Sequence, residues 1–456
     1  MRFLIWPRGR AAEAGAGEVG LVALALLALL AGAGSGFIVA IFRLALGEAD
    51  DWRAFLVRRA YGAGLGGFLA TLAVAAAAAA GAAALVRRLA PYASGSGIPQ
   101  VEAALTGDMP AAPPRLIIVK FLGGLLAIGA GMALGREGPS VQMGAALAHL
   151  VGRLFRRGWP DLRILLAAGA GAGLAVAFNA PIAGAVFVLE ELVRRFEPRI
   201  AIAAIGSSST AILISRLLLG PAPDFQITMP PPPGLYAAAA IWPFHIALGA
   251  VAGVAAALYN RMLLGMLAFV ERFAHWPAEA WAAAIGAIVG IVLWFAPDLA
   301  GGGDPITARV LSGGVAIATL PLAFLLRFGL GPWCYAARTP GGLFAPLLVL
   351  GAQLGFLCGA VCRFAFPDLG IEPQAFAIIG MAAFFAGVVQ APVTGIVLVT
   401  EMTAAFTTLL PMLAACFAAM LAVNLLKTAP IYDSLRERIL AAPLGGRAQA
   451  DLRDPL

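Results

Sequence analysis

The amino-acid sequence predicts an all-α, polytopic membrane protein in which two similar halves surround an internal site. Three observations lead to this prediction: the scarcity of charged residues, a series of uncharged apolar stretches, and a set of Gly, Pro and Glu positions that recurs between the halves. Of the 456 residues, 12% are charged and 61% are apolar, whereas a soluble globular chain has about 25% charged residues. This composition excludes most soluble classes and a disordered chain.

Six stretches contain no charged residue, and each is long enough to cross a bilayer, which takes about 20 apolar residues in a helix. They are Gly20–Phe42, Ala60–Val86, Ile164–Leu189, Thr339–Cys362, Pro373–Thr400 and Met402–Leu426. The first stretch follows a basic start but is too long for the apolar core of a signal peptide. We therefore interpret it as a retained first span.

The net charge of +7 comes from short arginine clusters between the apolar stretches. The clusters are Arg153, Arg156, Arg157 and Arg163, then Arg194, Arg195 and Arg199, with Arg2, Arg8 and Arg10 near the start and Arg436 and Arg438 near the end. Basic loops stay on the cytoplasmic side of a membrane. We therefore predict a protein of the cell (inner) membrane with both termini in the cytoplasm, and we expect no nucleic-acid partner.

Two of the apolar stretches are interrupted near their middle. Ile164–Leu189 contains Phe178-Asn179-Ala180-Pro181, and Pro373–Thr400 contains Gln390-Ala391-Pro392. Proline and the residue before it disfavour a continuous helix, so each stretch predicts two shorter helices. Irregular backbone at membrane depth persists only where it is buried in protein or lines a cavity. The breaks therefore predict an internal site.

The two halves resemble each other at matching positions. Ala180-Pro181, Gly184 and Glu190 recur at one offset as Ala391-Pro392, Gly395 and Glu401, and Gly135, Pro139 and Gly144 recur at a nearly identical offset as Gly342, Pro346 and Gly351. We expect a cytoplasmic segment over residues 1–19, a first membrane repeat over 20–220, a connecting loop over 221–236, a second membrane repeat over 237–432, and the end of the last helix with a cytoplasmic tail over 433–456. Inverted duplications bind substrate at the repeat interface, and the sequence alone leaves a parallel duplication open.

Four short motifs predict helix starts inside the membrane. They are Gly95-Ser96-Gly97-Ile98-Pro99, Gly135-Arg136-Glu137-Gly138-Pro139, Gly342-Leu343-Phe344-Ala345-Pro346 and Pro430-Ile431-Tyr432. Glycine permits close backbone approach, and proline is favoured in the first turn of a helix. A helix start presents unpaired N–H groups and a partial positive charge. Several starts that converge would bind an anion and still release it.

These four motifs, in this order, resemble the signature sequences of the CLC family of chloride channels and chloride/proton exchangers. Val119-Lys120-Phe121, Glu190-Glu191 and the segment from Gly387 to Thr403 also look like family sequence. The resemblance implies an inverted repeat of many tilted and broken helices around anion sites near the bilayer midplane. It also implies a homodimer in which each subunit has its own pathway. Because Tyr432 lies near the end of the sequence, we expect a prokaryotic-type member without paired CBS domains.

The resemblance implies an anion site made by specific residues. Ser96 and Tyr432 match the pair whose hydroxyls bind the permeating anion, and a serine at this position resembles the chloride-preferring members. Further anion-binding positions match Gly138, Leu343, Phe344 and Ala345, and Leu343 and Phe344 act there through backbone N–H groups. The structural alternatives are a helix N-cap for Ser96 and an interfacial anchor for Tyr432.

The resemblance also implies a proton route. Glu137 matches the gating glutamate, which competes with the anion and can move away once protonation removes its charge, and Arg136 is expected to support the outer entrance. Glu191 matches the internal proton glutamate of the exchangers. Its alternative is a solvated helix end paired with nearby arginines. We assign that alternative to Glu190 and a structural role to Glu401.

The function implied is therefore chloride/proton antiport, a secondary active exchange with chloride and protons as substrates and no cofactor. A passive voltage- or pH-gated chloride channel of the same fold is the alternative, against which Glu191 argues, and a fluoride exporter is a further family possibility. We expect no enzyme, because a hydrolase built on Ser96 would need a base and the three histidines lie in no partner motif. They are His149, His245 and His275.

Four cysteines lie in or beside apolar segments: Cys334, Cys358, Cys362 and Cys416. Cys358 and Cys362 share one face of a predicted helix, but no histidine is near them in the sequence. We therefore interpret all four as small buried hydrophobic residues and expect no metal site.

Overall fold

The computed structural model describes residues 20–225, 235–273 and 275–441, and these form seventeen α-helices with no strand beyond two isolated bridges. The first half contains α1 (Leu21–Tyr61), α2 (Gly64–Leu89), α3 (Ile98–Thr106), α4 (Arg115–Gly129), α5 (Glu137–Leu154), α6 (Trp159–Phe178), α7 (Pro181–Phe187) and α8 (Pro198–Leu219). The second half contains α9 (Leu235–Arg272), α10 (Ala278–Phe295), α11 (Asp304–Leu311), α12 (Leu320–Tyr335), α13 (Phe344–Ala365), α14 (Pro373–Val389), α15 (Pro392–Thr403), α16 (Leu409–Leu425) and α17 (Ile431–Ala441).

The ends of the chain and part of the connector lie outside this description. The predicted N-terminal segment 1–19 and the tail beyond residue 441 are not among the described residues. The second half begins with α9 at Leu235, inside the segment 221–236 that was expected to connect the repeats. One turn of π-helix, Val188–Leu192, directly follows α7.

Eight of the described helices are long and apolar enough to cross a membrane: α1, α2, α6, α8, α9, α10, α13 and the segment Phe406–Leu425 that contains α16. The chain is therefore a multi-pass membrane protein, as the sequence predicts. With 41 residues, α1 is about 60 Å long. Because the hydrocarbon core is about 30 Å thick, a helix of this length must tilt or extend beyond it.

The two halves pack in the same way. In the first half α1 packs on α6 and α8, and α5 packs on α6; in the second half α9 packs on α14 and α16, and α13 packs on α14. The tightest approaches also match, since a Cβ on Gly144 would lie 2.2 Å from Gly169 O and one on Gly351 would lie 2.5 Å from Gly380 O. Small residues let membrane helices approach this closely. The predicted duplication is therefore confirmed.

The halves meet through equivalent parts. Gly135 and Gly342 form an antiparallel bridge, α2 packs on α10, and α7 packs on α15. When equivalent residues contact each other mutually, the two units are related by a two-fold axis. An antiparallel bridge at that axis sends α5 and α13 away in opposite directions. The duplication is thus inverted, which the sequence had left open.

Both predicted helix breaks are present. α6 ends at Phe178 and α7 begins at Pro181, while α14 ends at Val389 and α15 begins at Pro392. Between them, Asn179 and Gln390 adopt the left-handed conformation, with φ of 51° and 66°. This conformation commonly ends a helix, and the following proline starts the next one.

Candidate functional site

The four motifs are helix starts that meet at the repeat interface. α3 begins at Ile98, α5 at Glu137, α13 at Phe344 and α17 at Ile431, as predicted. Backbone bonds hold the first three starts together. The N–H of Gly95 donates to Thr339 O at 3.0 Å, which joins the first motif to the segment before the third, and the N–H of Gly135 donates to Gly342 O at 2.8 Å, which joins the second motif to the third. Their unpaired N–H groups therefore lie within one small region of the protein.

Ser96 is fully buried against the first turn of α5. A Cβ on Gly138 would lie 2.4 Å from Ser96 O and 2.5 Å from Ser96 Oγ, so this contact requires glycine. The N-cap of α3 is Gly97, at φ 94°, with no capping side chain. The N-cap alternative for Ser96 is therefore wrong. Its hydroxyl approaches that of Tyr432 without reaching hydrogen-bond geometry and has no other partner within the described chain.

Tyr432 is fully buried in the first turn of α17. Its ring stacks on Phe344 with centroids 6.0 Å apart, and its hydroxyl has no hydrogen-bond partner among the described residues. Phe344 is in turn surrounded by Phe178, Phe187 and Phe385 at centroid distances of 6.1, 5.8 and 4.7 Å. An interfacial anchor would be partly exposed, so that alternative for Tyr432 is wrong.

Glu137 is fully buried where α5 and α13 begin. Its carboxylate lies over the Gly135–Gly342 bridge, since a Cβ on Gly342 would come within 3.2 Å of Glu137 Oε2. The N–H of Ala345 approaches this carboxylate without reaching hydrogen-bond geometry, and neither oxygen has a hydrogen-bond partner in the described chain. A negative charge at helix starts is favourable, whereas burial without a partner is costly. The helix starts therefore favour the charged form of this carboxylate, and its burial favours the neutral form.

Arg136 points away from its neighbour Glu137 and toward acidic residues of other elements. Its guanidinium pairs with Asp224 at 3.0 Å and with Asp304 at 2.7 Å, and its Nε donates to Ala177 O at 2.9 Å. Asp224 also pairs with Arg43 at 2.9 Å. These contacts join α1, the end of α6, the connector and α11 around the residue that precedes Glu137.

Glu191 is buried, with 3% of its surface exposed, in the π-helical turn after α7. The solvated part of the alternative is therefore wrong for it, whereas the pairing with a nearby arginine is present. Arg194 lies 3.5 Å from Glu191 and 2.7 Å from Asp433. Since Asp433 directly follows Tyr432, this arginine links the buried carboxylate to the start of α17.

Glu190 is not the solvated residue that the sequence suggested. It accepts hydrogen bonds from the backbone N–H groups of Val393 and Thr394 at 3.0 and 2.6 Å, in the first turn of α15. The physical reason is the unpaired N–H groups at that helix start. Glu401 does the same for α7, accepting from Ile182 and Ala183 at 3.1 and 2.8 Å. The two repeats therefore cap each other's helices.

The sequence analysis missed a further buried carboxylate beside the site. Glu102 lies in α3 with 2% of its surface exposed, and neither oxygen has a hydrogen-bond partner among the described residues. It interacts electrostatically with Glu191, Arg194 and Asp433. The available signal was a single acidic residue in a short helix that begins at one of the motifs.

Lys120 was noted in the sequence only as part of a family-like segment. It is fully buried on α4. Its ammonium donates to Gly95 O at 2.7 Å and to Ser96 O at 3.2 Å. The lysine therefore supports the backbone of the first motif from behind.

The cysteines and His245 lie in packing contacts with apolar residues. Cys334 and Cys416 are buried, whereas Cys358 and Cys362 are only partly buried, which corrects the expectation for that pair. His245 packs on Phe376 with ring centroids 4.9 Å apart. Among the described residues no group of three His, Cys, Asp or Glu is arranged to hold a metal ion.

Comparison with known proteins gives one consistent result. A family model described as "Voltage gated chloride channel" matches residues 74–424. The H(+)/Cl(-) exchange transporter ClcA of Vibrio parahaemolyticus is 38% identical over 423 residues, which cover 91% of this chain and 89% of that protein. ClcA of Cronobacter sakazakii is 38% identical over 379 residues, covering 81% and 80%.

Solved structures agree with this result. The crystal structure of a slow cyanobacterial Cl⁻/H⁺ antiporter superposes with a TM-score of 0.86 at 32% identity, and the match covers 93% of this chain and 99% of that one. A CLC-type fluoride/proton antiporter superposes with a TM-score of 0.77 at 22% identity, covering 91% and 98%. The second likeness concerns the fold alone.

Proposed function

The chain belongs to the voltage-gated chloride channel (CLC) family, and from this premise we propose that it exchanges chloride for protons across a membrane. One observation supports the proposal most: the buried, unpartnered carboxylate of Glu137 at the meeting point of α5 and α13. A carboxylate there competes with an anion for the same N–H groups. Once protonated it is neutral and frees them, so a single residue couples the two substrates.

Chloride would be bound by dipoles rather than by a full positive charge. The hydroxyls of Ser96 and Tyr432 are buried donors that approach each other without reaching hydrogen-bond geometry and have no other partner in the described chain. The backbone N–H groups of the α5 and α13 starts complete the set, at Gly138, Leu343, Phe344 and Ala345. Such donors attract an anion and still let it leave.

Protons would take a different inner route. Glu191 is a buried carboxylate, and Glu102 lies near enough to interact with it. Two neighbouring carboxylates disfavour the doubly charged state, so one of them is readily protonated. We assign the inner proton relay to Glu191 and the outer one to Glu137. The ion gradients supply the driving force, and the exchange needs no cofactor.

The test is paired flux measurement with purified protein in lipid vesicles. A chloride gradient should drive protons against their own gradient. Glu137→Gln should abolish proton movement while chloride still passes, whereas Glu48→Gln, at an exposed position on α1, should leave exchange unchanged. Proton pumping by Glu137→Gln would overturn the assignment.

A passive chloride channel is the second candidate, and the same vesicles separate the two. With opposed chloride and pH gradients, a channel reverses at the chloride equilibrium potential whatever the pH gradient is. An exchanger reverses at a potential that depends on both gradients. Glu191 supports the exchanger, and relatives that are transporters support transport over a hydrolase based on Ser96.

We also propose a homodimer in the inner membrane with both termini in the cytoplasm. α7 and α15 pack together and expose Ile182 at 60% and Val393 at 52% beside the two glutamate caps. A second copy would cover this apolar surface. Molar mass from light scattering in detergent tests the dimer, and protease accessibility of terminal tags in oriented membrane vesicles tests the orientation.

A further inference from the structure

We propose that Asn179 and Gln390 are equivalent positioning residues, each fixing with its side-chain amide the segment that ends its own repeat at one end of the anion path. The inference rests on the proposed function, because it assigns these two residues to opposite ends of the path from Glu137 to Tyr432. Neither residue is placed to touch the ions; each acts through the segment that it holds.

The two residues occupy the same place in each repeat. Both precede an Ala-Pro pair, both end the helix before the break, and both adopt the left-handed conformation, with φ of 51° and 66°. This conformation directs each side chain away from its helix axis. An amide at this position can therefore reach a neighbouring segment, and it brings two donors as well as an acceptor.

Asn179 holds the segment after α8. Its Nδ2 donates to Ala222 O at 2.7 Å, while its Oδ1 accepts from Arg216 at 3.3 Å and so fixes the orientation of the amide. Shortly after Ala222 the chain reaches Asp224, which pairs with Arg136 at 3.0 Å. Asn179 therefore acts on the residue directly before Glu137.

Gln390 holds the segment after α16. Its Nε2 donates to Thr428 O at 2.8 Å. Asn260 of α9 supports the same region, donating to Val388 O at 3.1 Å and to Ala429 O at 3.4 Å. This segment leads directly into α17 and its buried Tyr432. Gln390 therefore acts on the hydroxyl at the other end of the path.

The two amides thus bind equivalent backbone carbonyl groups, after α8 and after α16, but they act on different residues of the anion path. The segments they hold, residues 220–225 and 426–430, lie between helices. Their backbone N–H groups bind neighbouring turns and elements, for example Phe225 to Met402 O and Thr428 to Val423 O. The two amides add to these bonds at the carbonyl groups of Ala222 and Thr428. Loss of one hydrogen bond would let the segment shift by a small distance. A shift of the first segment would displace Asp224 and its partner Arg136, and so Glu137. A shift of the second segment would displace Tyr432 at the start of α17.

The test uses neutral changes of similar size that remove the donor and add no charge. Gln390→Met should weaken chloride binding, measured by calorimetry on the purified protein in detergent, by about 2- to 10-fold, the range expected for one lost hydrogen bond. Asn179→Leu should instead shift the pH at which exchange is half-maximal, with a smaller effect on chloride binding than Gln390→Met has. Gln390→Asn and Asn179→Gln, which retain an amide, should restore part of each property.

Double mutants show whether the effects pass through the proposed targets. The effect of Gln390→Met on chloride binding should vanish in a Tyr432→Phe background. In a Glu137→Gln background, where chloride flux is the property that can still be measured, Asn179→Leu should leave that flux unchanged. Asn424→Leu makes the same kind of change at an exposed position of α16 and should alter neither property. Thermal unfolding of each variant identifies any that fails to fold.

Two outcomes would overturn the inference: equal effects of the two donor-removing variants on both properties, or effects that persist in the double mutants. Failure of the proposed exchange would look different. The wild-type protein would then move chloride without protons, while chloride binding by calorimetry would still report on Gln390 and Tyr432.

Discussion

Gly135 and Gly342 donate their backbone N–H groups to each other's carbonyl oxygens at 2.8 and 2.7 Å. They are equivalent residues of the two repeats, so the pseudo-two-fold axis passes between them. α5 and α13 both begin directly after this bridge. The site for an anion therefore lies where the repeats meet, and the same bridge supports the carboxylate of Glu137.

The bridge predicts that Gly342→Ala is damaging. A Cβ there would lie 2.8 Å from Gly138 N and 3.2 Å from Glu137 Oε2, and backbone at a helix start cannot move away easily. We expect a loss of about 1–3 kcal/mol in stability and a slower chloride flux. Gly329→Ala is the matched control, because nothing lies within 4 Å of its added Cβ. Equal unfolding temperatures for the two variants would contradict this prediction.

Glu191 and Glu190 are adjacent but should respond differently to substitution. Glu191→Gln removes the buried carboxylate assigned to the inner proton relay, so proton flux should fall below detection while chloride flux continues. Glu190→Gln should keep the exchange ratio and lower thermal stability, because Glu190 binds the first turn of α15. Paired flux and unfolding measurements on both variants check this, and a lost exchange ratio in Glu190→Gln would refute it.

The reciprocal caps predict a pair of similar stability losses. Glu190→Ala and Glu401→Ala each leave two N–H groups of a helix start without their acceptor. A lost helix cap costs about 0.5–2 kcal/mol. Chemical unfolding of the two single variants and of the double variant should give comparable single losses, and an unaffected Glu401→Ala would argue against the cap.

The ion pairs of Asp224 predict a larger effect than those at the surface. Asp224→Asn replaces one oxygen that pairs with Arg43 or Arg136, at side-chain exposures of 10–18%. We expect about 2 kcal/mol of lost stability, as for a hydrogen bond to a charged group. Asp298→Asn is the control, since Asp298 is 73% exposed in its pair with Arg309 and such pairs contribute about 0–1 kcal/mol. Equal losses would show that burial does not matter here.

Exchange should accelerate as the pH falls. Only the neutral form of Glu137 leaves the N–H groups to chloride, and the neutral form becomes more populated when protons are abundant. Turnover in vesicles should therefore rise with acidity and decline toward alkaline pH. In Glu137→Gln the side chain is always neutral, so its chloride flux should lose this dependence. A pH profile that is the same in both proteins would exclude Glu137 as the sensor.

Much of the fold was predictable from local sequence. Charge-free stretches identify spans because lipid excludes charged groups. Glycine and proline mark helix starts and breaks through the backbone conformations that they permit or forbid. The breaks at Asn179 and Gln390 and the four motif helices were found in this way. The family resemblance then assigned Ser96, Glu137 and Tyr432 to a common site.

Other features depended on distant contacts. Glu190 and Arg194 lie in the same run of charged residues, yet one binds a helix of the other repeat and the other links Glu191 to Asp433. Glu102 carried no motif, and its importance follows from burial beside Glu191. Asp224 pairs with arginines of two separate elements. No pattern of neighbouring residues contains these partners.

The sequence by itself determined a membrane protein with duplicated halves and helix starts suited to an anion, because hydropathy and backbone preferences are local properties. Only the tertiary structure decided that the duplication is inverted, that Gly135 meets Gly342, and which carboxylates are buried without partners. The physical reason is that burial and pairing depend on which surfaces come together, and residues far apart in the chain supply those surfaces.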